Sequence, residues 1–159
     1  MPQRLDYAKT SPGAPRALYG VETYLQSCGL DAKLLDLVRL RASQINGCAF
    51  CIDMHWKDLR AAGEGESRLY SLDAWRESPG YSEREQAALA WTEAVTLVAA
   101  SRVPDEVYEQ ARRQFTDKEL VDLTLAVTSI NAWNRMNISF RQEAGAYQPK
   151  KAQPMKKGA

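Results

Sequence analysis

Apolar residues recur at spacings of three and four along almost the whole of this chain, and no stretch alternates strictly between apolar and polar. Spacings of three and four mark one face of a helix, whereas strict alternation marks a half-buried strand. A sheet has no segment to start from, so the sequence predicts an all-α, single-domain helical bundle. The punctuation between segments agrees. Residues 14–28, APRALYGVETYLQSC, read as a first helix closed by Gly29. Asp31 caps a second helix, with Leu34, Leu35, Val38, Leu40 and Ile45 as its apolar positions. Asn46-Gly47 breaks it, and a third helix runs from about Cys48 to Ala62, ahead of Gly63. A short helix is expected around residues 66–75. Ser82-x-x-Glu85 and Thr116-x-x-Glu119 are capping boxes, and Pro104 suits the first turn of DEVYEQARRQF. The last helix, LVDLTLAVTSINAWNRMNISFRQ, carries more apolar face than a small bundle needs. That surplus predicts a homo-oligomer.

The 159 residues suit one domain, and a 45% hydrophobic content suits a folded core. No apolar run approaches the roughly 20 residues that cross a bilayer. The start, MPQRLDYAKTSPG, has no apolar core of a secretory signal. A soluble, cytoplasmic protein without a membrane partner is therefore expected. The net charge of +1 hides an asymmetry: Lys150, Lys151, Lys156 and Lys157 lie in a tail without acids, and without them 17 basic side chains face 20 acidic ones. The body is not the basic surface that nucleic acid requires. The expected division is one helical domain over residues 1–147 and a solvated basic tail over 148–159.

The chemistry concentrates in QINGCAFCIDMH, residues 44–55. Cys48, Cys51 and His55 stand at i, i+3 and i+7, which is one helical face. Cys51 and His55 are also an i, i+4 pair, within mutual reach. The Asn46-Gly47 break puts both cysteines at the start of a helix, where unsatisfied N–H groups and the helix dipole favour a thiolate. Such a pair can react with peroxide through a sulfenic acid and close to a disulfide. Two other readings stand beside this one. Zinc would need a fourth ligand, and only the distant Cys28 is available. The cysteines could also be small buried core residues.

LLDLVRLRASQINGCAFCIDMHWKDLRAAGE closely resembles the core of the alkylhydroperoxidase AhpD-like branch of the carboxymuconolactone decarboxylase family. The likeness continues through WRESPGYSEREQAALAWTEAVTL and LVDLTLAVTSINAWNRMN, and so covers most of residues 5–145. It implies an AhpD-like helical fold, trimers or hexamers, and thiol-dependent peroxidase activity. By the same resemblance Cys48 and Cys51 are the redox pair and His55 belongs to a proton relay. The family's motif is Glu, eleven residues, then C-x-x-C-x-x-x-H. Here Asp36 stands twelve residues before Cys48 in place of the glutamate. Its carboxylate is one methylene shorter: either a bridging water restores its reach or the relay is weaker or altered.

Gln44 either points at the site or is a plain helix-end group. Asn131, Trp133 and Asn134 interrupt an apolar helix and are expected to pack on another helix or subunit. Phe50 and Trp56 flank the motif and are expected to line the site or an interface, Phe50 on a different face from the cysteines. Cys28 reads as a buried small residue. No G-x-G-x-x-G or similar motif is present, so no cofactor is expected, and the oxidised pair needs an external dithiol or a redox protein. The leading expectation is a hydroperoxide-reducing oxidoreductase. A lactone-acid decarboxylase and a non-catalytic redox-sensing oligomer are the alternatives.

Overall fold

The computed structural model describes residues 2–149. The lysines of the expected basic tail belong to residues 150–159 and lie outside the described residues. Among the described residues nine α-helices follow one another: α1 (Tyr7–Thr10), α2 (Gly13–Leu25), α3 (Ala32–Asn46), α4 (Ala49–Ala61), α5 (Glu66–Tyr70), α6 (Glu83–Thr96), α7 (Val98–Ser101), α8 (Asp105–Gln114) and α9 (Asp117–Phe140). A 3₁₀ turn spans Leu72–Ala74, and there is no strand among the described residues. Among these residues no helix is long and apolar enough to cross a membrane.

Both capping boxes form. Ser82 and Glu85 close the start of α6 reciprocally, and Thr116 and Glu119 that of α9. Each such cap stabilises its helix by about 1 kcal/mol. The Asp31 carboxylate accepts from the Leu34 N–H at 2.9 Å and starts α3. The first long helix stops at Leu25, three residues before the expected end, because the Ser27 hydroxyl donates to the Tyr24 carbonyl at 3.1 Å and draws the backbone into a turn. The segment expected as one short helix over 66–75 divides into α5 and the 3₁₀ turn.

α9 runs through the middle of the bundle, against α2, α3, α4, α6 and α8. Leu120, Leu123, Ala126, Val127 and Ile130 are all buried there. The apolar face that seemed surplus in the sequence is thus packed inside the chain, and Val121 and Ile138 are the large apolar side chains of α9 left exposed. One core cluster gathers α2, α3, α6, α8 and α9 around Val38, Leu123 and Val127. A second gathers α3, α4 and α6 around Leu40, Leu59 and Leu89. Each of these leucines contributes about 1.5–3 kcal/mol by leaving water. A third, small cluster is made of Ala42, Cys48, Cys51 and Ile130, with Phe50 and Trp133 against it.

Both ends of the described chain fold back over this third cluster. The Arg4 N–H donates to the Phe140 carbonyl at 3.0 Å, and α1 follows, capped by Asp6. Past α9, Lys57 on α4 donates to the carbonyls of Gly145 and Tyr147, each at 3.0 Å. The Gly145 N–H donates in turn to Asp53 at 3.1 Å. These contacts bring Tyr7 and Tyr147 to one cavity along α4, where the Tyr147 hydroxyl donates to Asp58 at 2.7 Å.

Candidate active site

The junction between α3 and α4 decides where the sulfurs sit. Gly47 takes the left-handed conformation, φ +69°. Its N–H donates to the Gln44 carbonyl at 3.1 Å, and the Cys48 N–H to the Ser43 carbonyl at 3.0 Å. This double bond pattern is a Schellman closure, which turns the chain sharply and needs a residue without Cβ strain at its pivot. The Asn46 side chain secures the same corner by donating to Asn131 at 3.0 Å and Asn134 at 2.8 Å, both on α9. Cys48 is then the N-cap of α4, Cys51 lies in its first turn, and His55 lies one turn further.

All three cysteines are free thiols and buried. Cys48 is 1% exposed and Cys51 0%. Cys51 has donors around it: the Asn137 amide donates to its Sγ at 3.3 Å, and Ser43 and Asn134 lie close enough to favour its charged form. Asn137 is itself oriented by Tyr7, whose hydroxyl donates to its Oδ1 at 2.8 Å. The neighbouring Cys48 thiol, the strongest influence, and these amide and hydroxyl donors outweigh burial and lower the Cys51 thiol to about 7. Cys48 moves the opposite way: its hydrogen bonding to Cys51 and its burial push the thiol far up. The pair therefore shares one charge, carried on Cys51.

His55 is buried, 5% exposed, and neither ring nitrogen has a hydrogen-bond partner. Its Nδ1 lies 3.6 Å from Asp36 Oδ1. That separation is longer than a hydrogen bond and shorter than the span of about 4.5 Å that two bonds through a water would cover. Asp36 instead accepts from Arg39 at 3.1 Å, and Arg39 pairs with Glu22 at 2.7 Å. Glu22 accepts in addition from Ser129 at 2.6 Å and Trp133 at 3.2 Å. Burial pushes the Asp36 carboxyl up, but His55 and Arg39 together hold it below the ordinary carboxylate range.

Cys51, His55 and Asp36 open onto one cavity of about 540 Å³. Tyr7, Tyr19, Ile130 and Trp133 supply its apolar wall, and Glu22, Asp58 and Arg39 its polar one. Cys48 lines a different cavity, of about 460 Å³. Among the described residues no group of three or more His, Cys, Asp or Glu side chains is placed to hold a metal ion. Cys28 belongs to the first core cluster, away from the motif.

A profile of the carboxymuconolactone decarboxylase family matches residues 12–94, more than half of the chain. The chain belongs to the carboxymuconolactone decarboxylase family. Over 146 residues this family member is 40% identical to YdfG, an uncharacterized protein of Bacillus subtilis, across 92% of this chain and 99% of YdfG. It superposes with TM-score 0.89 on a protein of unknown function from Agrobacterium tumefaciens that is described as an AhpD-type antioxidant defence protein. Their identity is 44%, over 92% of this chain and 100% of that one. The alkylhydroperoxidase AhpD core of a peroxidase-related protein from Ralstonia eutropha superposes with TM-score 0.77 over 87% of this chain and 74% of that one, and at 20% identity this concerns the fold. Together these place the family member in the AhpD-like branch.

Several site residues escaped the sequence reading. Asn137 continues the series Asn131, Asn134 at the same spacing of three, so its inward face was readable from its two neighbours. Asp58 stands three residues after His55 and seven after Cys51, so helical spacing alone put it on the motif's face. Tyr7, Glu22 and Tyr147 reach the site from the two ends of the chain and from α2, and no spacing rule joins them to the motif. Two expectations need correction. Phe50 does not turn away from the cysteines: it lines both of their cavities. Trp56 packs against the second core cluster, beneath Arg60, because its side of α4 faces α3 and α5 and not α9. Gln44 accepts from Arg41 at 3.3 Å and lines neither cysteine cavity.

Proposed function

We propose that this AhpD-like protein is a thiol-dependent hydroperoxidase, with Cys48 and Cys51 as its redox pair and no cofactor of its own. One observation carries the reading. Cys51 is surrounded by donors, touches Cys48, and shares a cavity wall with a buried histidine whose ring nitrogens are both unpartnered. A histidine one helical turn from an acidic thiol and 3.6 Å from a carboxylate can move a proton.

The chemistry balances as follows. The Cys51 thiolate attacks the outer oxygen of the hydroperoxide and the O–O bond breaks. The alkoxide leaves as an alcohol, taking its proton from the His55 imidazolium. Cys51 is now a sulfenic acid. The Cys48 sulfur attacks the Cys51 sulfur, the S–S bond forms, and hydroxide leaves as water with the proton that Cys48 gives up. Two thiols are oxidised and one peroxide bond is reduced. Asp36 orients the imidazole through its charge, and Arg39, anchored on Glu22, holds Asp36 in place. An external dithiol or redox protein returns the pair to thiols.

The test is hydroperoxide consumption by the whole protein with dithiothreitol as reductant, run beside ultraviolet monitoring of a carboxymuconolactone-type substrate. Peroxide loss that depends on both protein and dithiol, with the lactone unchanged, is expected. Lactone turnover without peroxide loss would move the chain to the decarboxylase chemistry of its family.

A further inference from the structure

The two sulfurs of the pair open onto different cavities. Cys51 lines the aromatic cavity that holds His55 and Asp36, and Cys48 does not. Cys48 lines the second cavity with Gly47, Ala49, Ile138 and Arg141, and Cys51 does not. Phe50, Asn137 and Gln142 line both and form the partition between them. Each cavity therefore presents one half of a future disulfide.

The two linings suit two different reactants. The Cys51 side has an apolar aromatic wall, a histidine and a carboxylate, which is what an organic hydroperoxide and its departing alkoxide need. The Cys48 side has no histidine. It is framed by the first turn of α4, whose N–H groups and dipole favour an anion, and by one basic and one acidic side chain, Arg141 and Glu143; the Arg141 guanidinium makes no ion pair among the described residues. The anion that a disulfide must receive is a thiolate.

We propose that the Cys48 cavity is the binding site of the reducing thiol, separate from the site where peroxide reacts. The idea rests on the redox pair proposed above. The reductant's thiolate attacks the Cys48 sulfur and the Cys48–Cys51 bond breaks. Cys51 leaves as a thiolate into its circle of donors, and Cys48 is joined to the reductant as a mixed disulfide. The second thiol of the reductant then attacks its own sulfur in that bond, closing a disulfide in the reductant and releasing Cys48, which takes up the proton. Attack from the other cavity would expel Cys48, which has no comparable set of donors and is the poorer leaving group.

The half-reactions can be followed one at a time. The reduced protein is mixed with cumene hydroperoxide, and thiol loss is followed in a single turnover. Separately, the disulfide is formed with diamide, a general thiol oxidant, and its reduction by dithiothreitol is followed by thiol counting. Two exposed alanines sit on the two linings, Ala144 on the Cys48 side and Ala8 on the Cys51 side. Ala144→Trp is expected to slow reduction by about tenfold or more and to leave oxidation within about twofold, since exchange rates depend on access. Ala8→Trp is expected to do the reverse. Ile138→Trp, on the α9 side of the same lining, repeats the first test should the Ala144→Trp side chain swing into solvent. A common slowing of both half-reactions by either variant overturns the separation, as does no effect on reduction from both Cys48-side variants. Because diamide supplies the disulfide, the reductive arm reads out even if hydroperoxide is not a substrate. Failure of the peroxidase reading then appears only in the oxidative arm.

Discussion

Replacing Cys51 by serine is expected to abolish dithiol-supported peroxide turnover, and replacing Cys48 is expected to do the same by a different route. Cys51 is the thiol lowered to about 7, so near neutrality it is half thiolate, whereas an ordinary free thiol is ionised to a few per cent. A serine hydroxyl there carries no usable charge, and the first bond never forms. In Cys48→Ser the attack on peroxide survives, but the sulfenic acid has no neighbour to condense with. One turnover occurs and then the protein stalls or over-oxidises. Cys28→Ser keeps most of the activity, because that side chain lies in another core cluster. The pH dependence has a defined sign. The lowered Cys51 group is charged above about pH 7 and protonated below it, so the single-turnover oxidation rate rises as pH passes upward through that value. Stopped-flow mixing with hydroperoxide from about pH 5 to 9 measures it. A rate that falls with rising pH, or a Cys28→Ser variant as inactive as the other two yet still folded, would contradict the assignment.

Asp36→Asn is expected to lower turnover by roughly one to two orders of magnitude, within the range that proton-relay groups contribute. The side chain touches no reactant. It acts through His55, 3.6 Å away, by holding the imidazole's orientation. The amide keeps the shape and loses the charge that orients the imidazole for proton delivery. Asp36→Glu is expected to preserve or raise activity, because the added methylene can bring the carboxylate within hydrogen-bond distance of Nδ1. Steady-state rates of the three proteins across pH, with circular dichroism as the folding control, decide the matter. Full activity and an unchanged profile in Asp36→Asn would reduce Asp36 to an anchor for Arg39.

The helices were legible because their signals are local. Capping boxes at Ser82 and Thr116, the Asp31 cap and the Gly47 break each act within four residues, and each appears where the sequence puts it. The shared face of Cys48, Cys51 and His55 is likewise a consequence of helix period alone. What stayed hidden depends on chain reversal. Tyr7 and Asn137 lie 130 residues apart, and Glu22 and Ser129 107 apart, yet each pair shares a hydrogen bond in or beside the site. The reach of Asp36 was also hidden, since a difference of one methylene is decided by where α3 and α4 are packed. Trp56 was misplaced for a related reason: its spacing fits either side of α4, and only the core around Leu59 and Leu69 shows which side is inside.

The most direct test of the central claim is a thiol count by mass spectrometry after one equivalent of hydroperoxide. The account predicts that two thiols disappear together, that peptide mapping joins Cys48 to Cys51, and that Cys28 stays free. Loss of a single thiol, or a bridge that includes Cys28, would contradict it.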